Sequence, residues 1–337
     1  MKIFRIILIL CLSITMTSCL DILDNDSYDE PYIPSVIHLA IMDIDGNNIQ
    51  YIANEYNNYD KLMSEDAHFT PDGKYLTNGR HIMNLDGSGY KQLVPDSLEI
   101  YSYCFDSSSN YMYFSTLKNA IYYIYKKDIN NDNIALIHYS TNPLGRISLS
   151  LNEDKLATPK YGQINYYDLT TNQLVNLTAQ DQVFPNGNVI FAKSDTEIYF
   201  GTNQGLYSIN INTKEIIPIA PRGSLELRNQ DASRFVYETG TYNIEMLELN
   251  NGTYNYSIIN NVKAYSPSIN KAGDKVLYTS DYAYIIVNCL DSNRENIIRQ
   301  EKGLIKTIMS PTGEKVLLYT NIQAGSVTIG KNYGVGL

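Results

Sequence analysis

Four histidines, His38, His68, His81 and His138, and two cysteines, Cys104 and Cys289, are the side chains in the body of this sequence best suited to metal or nucleophilic chemistry. A zinc or manganese centre needs three or four convergent ligands. Asp66 lies two residues before His68, but no spacing brings a third ligand to that pair. The segment Asp43-Ile44-Asp45-Gly46-Asn47-Asn48 has the oxygen-rich look of a calcium loop. A helix-flanked calcium loop, however, requires Gly at its sixth position and a bidentate Glu at its twelfth. Here Gly is fourth and the twelfth residue is Asn54, which reads as a hairpin turn. The neighbouring carboxylates Glu65 and Asp66 point to opposite faces if they lie on a strand. No Gly-x-Ser-x-Gly elbow, no Cys–His context and no phosphate-cradling Gly-Lys-Ser/Thr loop occurs. The sequence therefore assigns no catalytic residue, no cofactor and no metal.

Cys19 offers a different chemistry. Lys2 and Arg5 precede an apolar run from Ile6 to Leu12 that is too short to span a bilayer. Met16-Thr17-Ser18-Cys19 follows and resembles a bacterial lipobox, in which the cysteine becomes the lipidated first residue. The resemblance implies a signal peptide over 1–18, lipid attachment at Cys19 and an anchor in the cell-envelope membrane, periplasmic or surface-exposed. A diacylglycerol with an N-acyl chain exceeds the two hydrophobic signals that stable anchoring needs. Residues 20–34, LDILDNDSYDEPYIP, are acidic and carry two prolines. Such a stretch buries too little apolar surface to order itself, so 19–35 reads as a flexible tether. Loss of Lys2 and Arg5 takes the formal net charge from −10 to −12. That balance opposes nucleic-acid binding and opposes adhesion of the protein surface to anionic lipid. The lipid alone is then the membrane contact.

The elements that must position these residues are short strands repeated near every forty residues. Turns between two apolar runs align on Gly73, Ser109, Asp154, Thr196, Ser233, Gly273 and Gly313, with steps of 36, 45, 42, 37, 40 and 40. A second series, at Asp45, Asp86, Asn130, Thr170, Asn212, Asn250 and Asp291, includes the pairs Asp45-Gly46, Asp86-Gly87 and Asn251-Gly252. Such pairs supply the positive φ of tight hairpins. A fixed period of this length filled with strands and turns predicts a β-propeller over 36–337. The second series begins before the first and ends before it, so one blade is built from both chain ends. The expected fold is all-β, a seven-bladed propeller of four-stranded antiparallel blades closed by the N-terminal hairpin 37–53, with six or eight blades as alternatives. Ser326 to Ile329 competes with 37–43 for the closing position. Cys104 and Cys289 fall in the second and sixth repeats, too far apart for a disulfide, and read as buried small hydrophobes.

HFTPDGKYLTNGRHIMNLDGSGYKQLV at 68–94 resembles one repeat of the TolB-like, WD-related β-propeller family. Pro71-Asp72-Gly73, Leu85-Asp86-Gly87 and Leu93 carry the likeness, echoed by Ser310-Pro311-Thr312-Gly313 and Leu177-Thr178. The family includes periplasmic proteins that bind other proteins, and propellers attached to or serving as enzymes. The resemblance implies a scaffold for an envelope protein or peptide partner; together with the lipobox and the lack of catalytic motifs, the expectation is a lipid-anchored, non-catalytic, monomeric binding module. The alternatives are a glycan-binding envelope lipoprotein, which exposed Tyr clustered on one face would favour, and a carbohydrate-active propeller enzyme. Most of the 30 tyrosines are expected in the core between blades.

Overall fold

Consecutive apolar residues, such as Leu39, Ala40, Ile41 and Met42, bury both faces of the inner strands, and these become the two sides of a blade. The computed structural model describes residues 35–54, 67–142, 144–160, 162–179, 189–192, 194–223, 225, 227–228, 232–239, 241–250, 253–260, 263–280, 284–290, 294–300 and 304–323. They form seven four-stranded antiparallel sheets. Blades 1 to 6 are contiguous, spanning 68–92, 99–140, 148–176, 189–220, 227–258 and 264–300. Blade 7 takes its first two strands, Leu304–Met309 and Lys315–Gln323, from the end of the chain. Its last two, Ser35–Asp43 and Gln50–Asn54, come from the beginning. The expected seven blades and N-terminal closure are observed. The competing segment 326–329 lies outside the described residues, and Ser35–Asp43 occupies the place beside Lys315–Gln323.

The closing register runs from Ser35 opposite Gln323 to Asp43 opposite Lys315. An ion pair from Lys315 Nζ to Asp43 Oδ1, at 2.5 Å, secures one end. Along the closing strand the pleat sends Leu39 and Ile41 towards blade 1, where they meet Phe69, Leu76 and Met83. Ala40 and Met42 go the other way, to Leu277, Ile285 and Val287 of blade 6. The same arrangement recurs round the molecule as seven apolar clusters, one at each blade-to-blade interface. Fully burying one such side chain is worth about 1.5–3 kcal/mol, so these interfaces hold the ring together. At the closing seam Tyr319, 1% exposed, also donates its hydroxyl to Ala67 O at 2.7 Å.

Turns between the first and second strands contain one left-handed residue each: Gly73, Ser109, Glu153, Asp195, Ala232, Gly273 and Gly313. In blades 3 to 5 this residue stands one place before the position that sequence alignment selects, Asp154, Thr196 and Ser233. Two of the three substitutes are acids, and their side chains have a use described below. Among the described residues there is no helix long and apolar enough to cross a membrane.

Candidate functional site

Antiparallel order fixes two unlike faces. The turns joining first to second and third to fourth strands share one end of every blade, the hairpin face. Links from second to third strand, and from one blade to the next, share the other, the crossover face. First strands of neighbouring blades adjoin one another and so line the axis. Ser35 and Gln323, the first and last described residues, are partners at the crossover end of blade 7.

On the hairpin face the first turns are stitched blade to blade. Asp72 N donates to Ser109 Oγ at 3.1 Å, and Ser107 N to Glu153 Oε1 at 2.7 Å. Leu151 N and Asn152 N donate to the two carboxylate oxygens of Asp195, each at 2.7 Å. At two of the three turns whose left-handed residue is Gly, a cation reaches the glycine carbonyl. Arg234 Nη1 donates to Gly273 O at 2.7 Å and Lys275 Nζ to Gly313 O at 3.2 Å. Lys271 N donates to Pro311 O at 2.9 Å. Burial holds the Lys271 ammonium below its usual range, opposed by the Asp72 carboxylate of blade 1. Turns two blades apart are thus within electrostatic reach around the axis. No single repeat signals these bonds; the clue available in the sequence was an acid where other copies carry Gly.

The residues singled out for chemistry do not gather. His68 stacks on Tyr103 with centroids 5.6 Å apart, and His81 on Tyr90 at 5.3 Å. His138 packs against Tyr167 at 5.2 Å, its basicity lowered by burial and then by Lys160. His38 is placed by its backbone opposite Thr320. Asp66, Glu65 and the lipid-attachment residue Cys19 lie outside the described residues, as do residues 19–34 of the tether, while Ser35 already belongs to the closing strand. Among the described residues no three His, Cys, Asp or Glu side chains are grouped to hold a metal. Asp45 binds Asn47 through both carboxylate oxygens, at 3.0 and 2.9 Å, as a turn residue does. Neither Cys104 nor Cys289 forms a disulfide, and both are part-buried, which corrects the expectation that they are buried. Even so, loss of solvation pushes the Cys104 thiol up to about 12.

Tyrosines mostly fill blade interfaces, Tyr113, Tyr167, Tyr278 and Tyr319 being buried. Six are exposed among the described residues. Tyr51, Tyr111 and Tyr254 lie towards the hairpin face; Tyr101, Tyr139 and Tyr242 lie towards the crossover face. This even division does not give the one-sided cluster that a glycan reading would favour.

No family model and no curated protein matches the sequence. Solved structures do match. An oligogalacturonate lyase in complex with manganese is 10% identical over 76% of this chain and 88% of that one, with a TM-score of 0.58. An oligogalacturonate lyase from Vibrio parahaemolyticus is 12% identical over 85% and 97%, at 0.61. TolB from Acinetobacter baumannii is 14% identical over 86% of this chain and 64% of its own, at 0.50. The fold is that of a TolB-like β-propeller. At these identities the likeness concerns fold alone. The reading of a non-catalytic binding module nevertheless does not stand, because two of these propellers are named as lyases.

Proposed function

We propose that this chain is a lipid-anchored cell-envelope propeller, tethered through Cys19 and residues 19–35, that binds a protein or peptide partner. The observation that carries the reading is the stitched, self-closed ring. Seven blades, joined at five seams by bonds at the first turns among the described residues and closed by a composite seventh blade, present their loops on rigid faces, and rigid faces bind with little ordering cost. The placing of Ser35 and Gln323 at the crossover end agrees with a tether joined to one side of the ring. The acidic balance supports a protein partner over nucleic acid.

Affinity capture from native envelope with the lipidated protein, read by mass spectrometry, tests the partner. A saturable, stoichiometric envelope protein is expected. Recovery of none, alongside saturable binding on a glycan array, overturns the assignment. Metabolic labelling with radioactive palmitate tests the anchor, and label retained in Cys19→Ser refutes it.

A second reading is favoured by the lyase-named structures: a carbohydrate-active propeller. The described donor set does not fit a manganese ion, so no step is derived through one. Incubation with oligogalacturonate, with and without added manganese, would show unsaturated product if this reading holds.

A further inference from the structure

Tyr242 is an exposed aromatic residue held in the left-handed region, with φ of 61° and 44% of its surface accessible. Bulky side chains rarely adopt that conformation. The equivalent link uses Gly79 in blade 1 and Gly162 in blade 3, both with positive φ. The Tyr242 backbone is fixed from two sides, donating to Thr239 O at 3.0 Å and accepting from Ala264 N at 2.9 Å. Its ring leans on Tyr265 with centroids 5.2 Å apart. Tyr265 stands on the axis-lining strand of blade 6, at a bulge where the register slips between Tyr265 and Ser268.

Half-way round the ring a second tyrosine pair also stands at a first-strand bulge, here with the bulge residue itself exposed. Tyr101 is the extra residue of a bulge between Ile100 and Ser102 on the axis-lining strand of blade 2. It is 51% exposed and meets Tyr122 edge-on at 5.7 Å. Both bulges are pinned from the next blade: Ile147 N donates to Ser102 Oγ and Met309 N to Ser268 Oγ, each at 3.0 Å. Bulges re-aim side chains and gather beside functional sites, and strain persists where the surroundings over-determine it. Opposite charges flank the two pairs. Exposed Glu99 lies two residues before Tyr101, and Lys263 Nζ sits 5.5 Å from the Tyr242 centroid.

We propose that these two tyrosine pairs are the ends of a site for an extended peptide segment laid across the crossover mouth of the channel. The proposal rests on the partner-binding reading and locates it. Tyrosine faces accept proline and aliphatic side chains, as in grooves that read extended peptides. Glu99 selects a basic residue at one end and Lys263 an acidic one at the other, which sets the direction of the bound chain. A neutral sugar has no use for that charge separation.

The probe is a phage-displayed library of random dodecapeptides panned against the full-length protein. An enriched peptide is then labelled and titrated by fluorescence anisotropy. Affinity is expected to fall about ten-fold or more for Tyr101→Ala and for Tyr242→Gly, and to stay within about two-fold for Tyr111→Ala on the hairpin face. Enriched sequences should carry a basic and an acidic residue near opposite ends. Tyr242→Gly is decisive, since Gly enters the left-handed region freely. Its Tm should equal or exceed that of the wild type while binding is lost. A lowered Tm would make Tyr242 a packing residue and overturn the proposal. Enriched peptides indifferent to both crossover substitutions would also overturn it, leaving partner binding intact but sited elsewhere. Failure to enrich any peptide, or saturable glycan binding lost in Tyr242→Gly, would overturn the peptide class itself.

Discussion

Replacing Asp195 by Ala removes two hydrogen bonds that join blade 3 to blade 4. Asp195 is buried, and its carboxylate accepts Leu151 N and Asn152 N, both at 2.7 Å. A hydrogen bond to a charged group contributes about 1.5–3 kcal/mol, and since Leu151 and Asn152 are exposed, water makes good part of that loss. Two such bonds put the expected loss at about 3–5 kcal/mol. At about 2 °C per kcal/mol for a ring of this size, the melting temperature should fall by about 6–10 °C. Asp195→Gly loses the same bonds but relieves the left-handed backbone, φ 51°, and should sit about 1–2 kcal/mol above the Ala variant. Intrinsic tyrosine fluorescence follows the unfolding, since the chain has 30 Tyr and no Trp. Urea midpoints supply the free energies. A loss below about 1 kcal/mol for Asp195→Ala, or an Asp195→Gly variant no better than it, would refute the claim that turn-to-turn stitching stiffens the ring.

Further outcomes follow from the same contacts. A Cβ at Gly46, φ +84°, would stand 2.2 Å from Ile298 O of blade 6, so Gly46→Ala should cost at least about 2 kcal/mol in a thermal melt; a neutral change refutes the close approach. Tyr319→Phe orphans Ala67 O at the closing seam and should cost about 1–2 kcal/mol by urea titration. For His138 the folded protein disfavours the imidazolium, through burial first and Lys160 second. Stability is therefore full above the unfolded value of about 6.5 and declines as pH falls below it. His138→Gln should flatten that decline, and an unchanged slope would remove His138 as its source.

The blade count was legible because turn residues impose a period that survives poor conservation of the strands between them. Closure was legible for a related reason: the two turn series run out of phase, and only a shared blade resolves that. The seams were not. Asp72 and Ser109, Ser107 and Glu153, and Leu151 and Asp195 are 37, 46 and 44 residues apart, so no local pattern pairs them. Aligning the turns by residue type also displaced three of them by one residue, since residue type does not show which position carries positive φ. The tyrosines were read by type as core, which suits Tyr319. For Tyr242 a backbone angle decides, and residue type is silent on angles.

Asp43 and Lys315 meet across 272 residues of sequence, and that separation sets a timetable. The strand synthesised first cannot find its partner until the strand synthesised last arrives. Until then Ser35–Asp43 is a bare template for any passing edge, and contacts so remote form slowly. Loss of the final strand, by nonsense mutation or clipping, would consequently injure the front of the molecule as much as its back. Conversely, a new start cut into an exposed blade linker, with the old ends fused beside Ser35 and Gln323, would turn the slowest joint into the fastest.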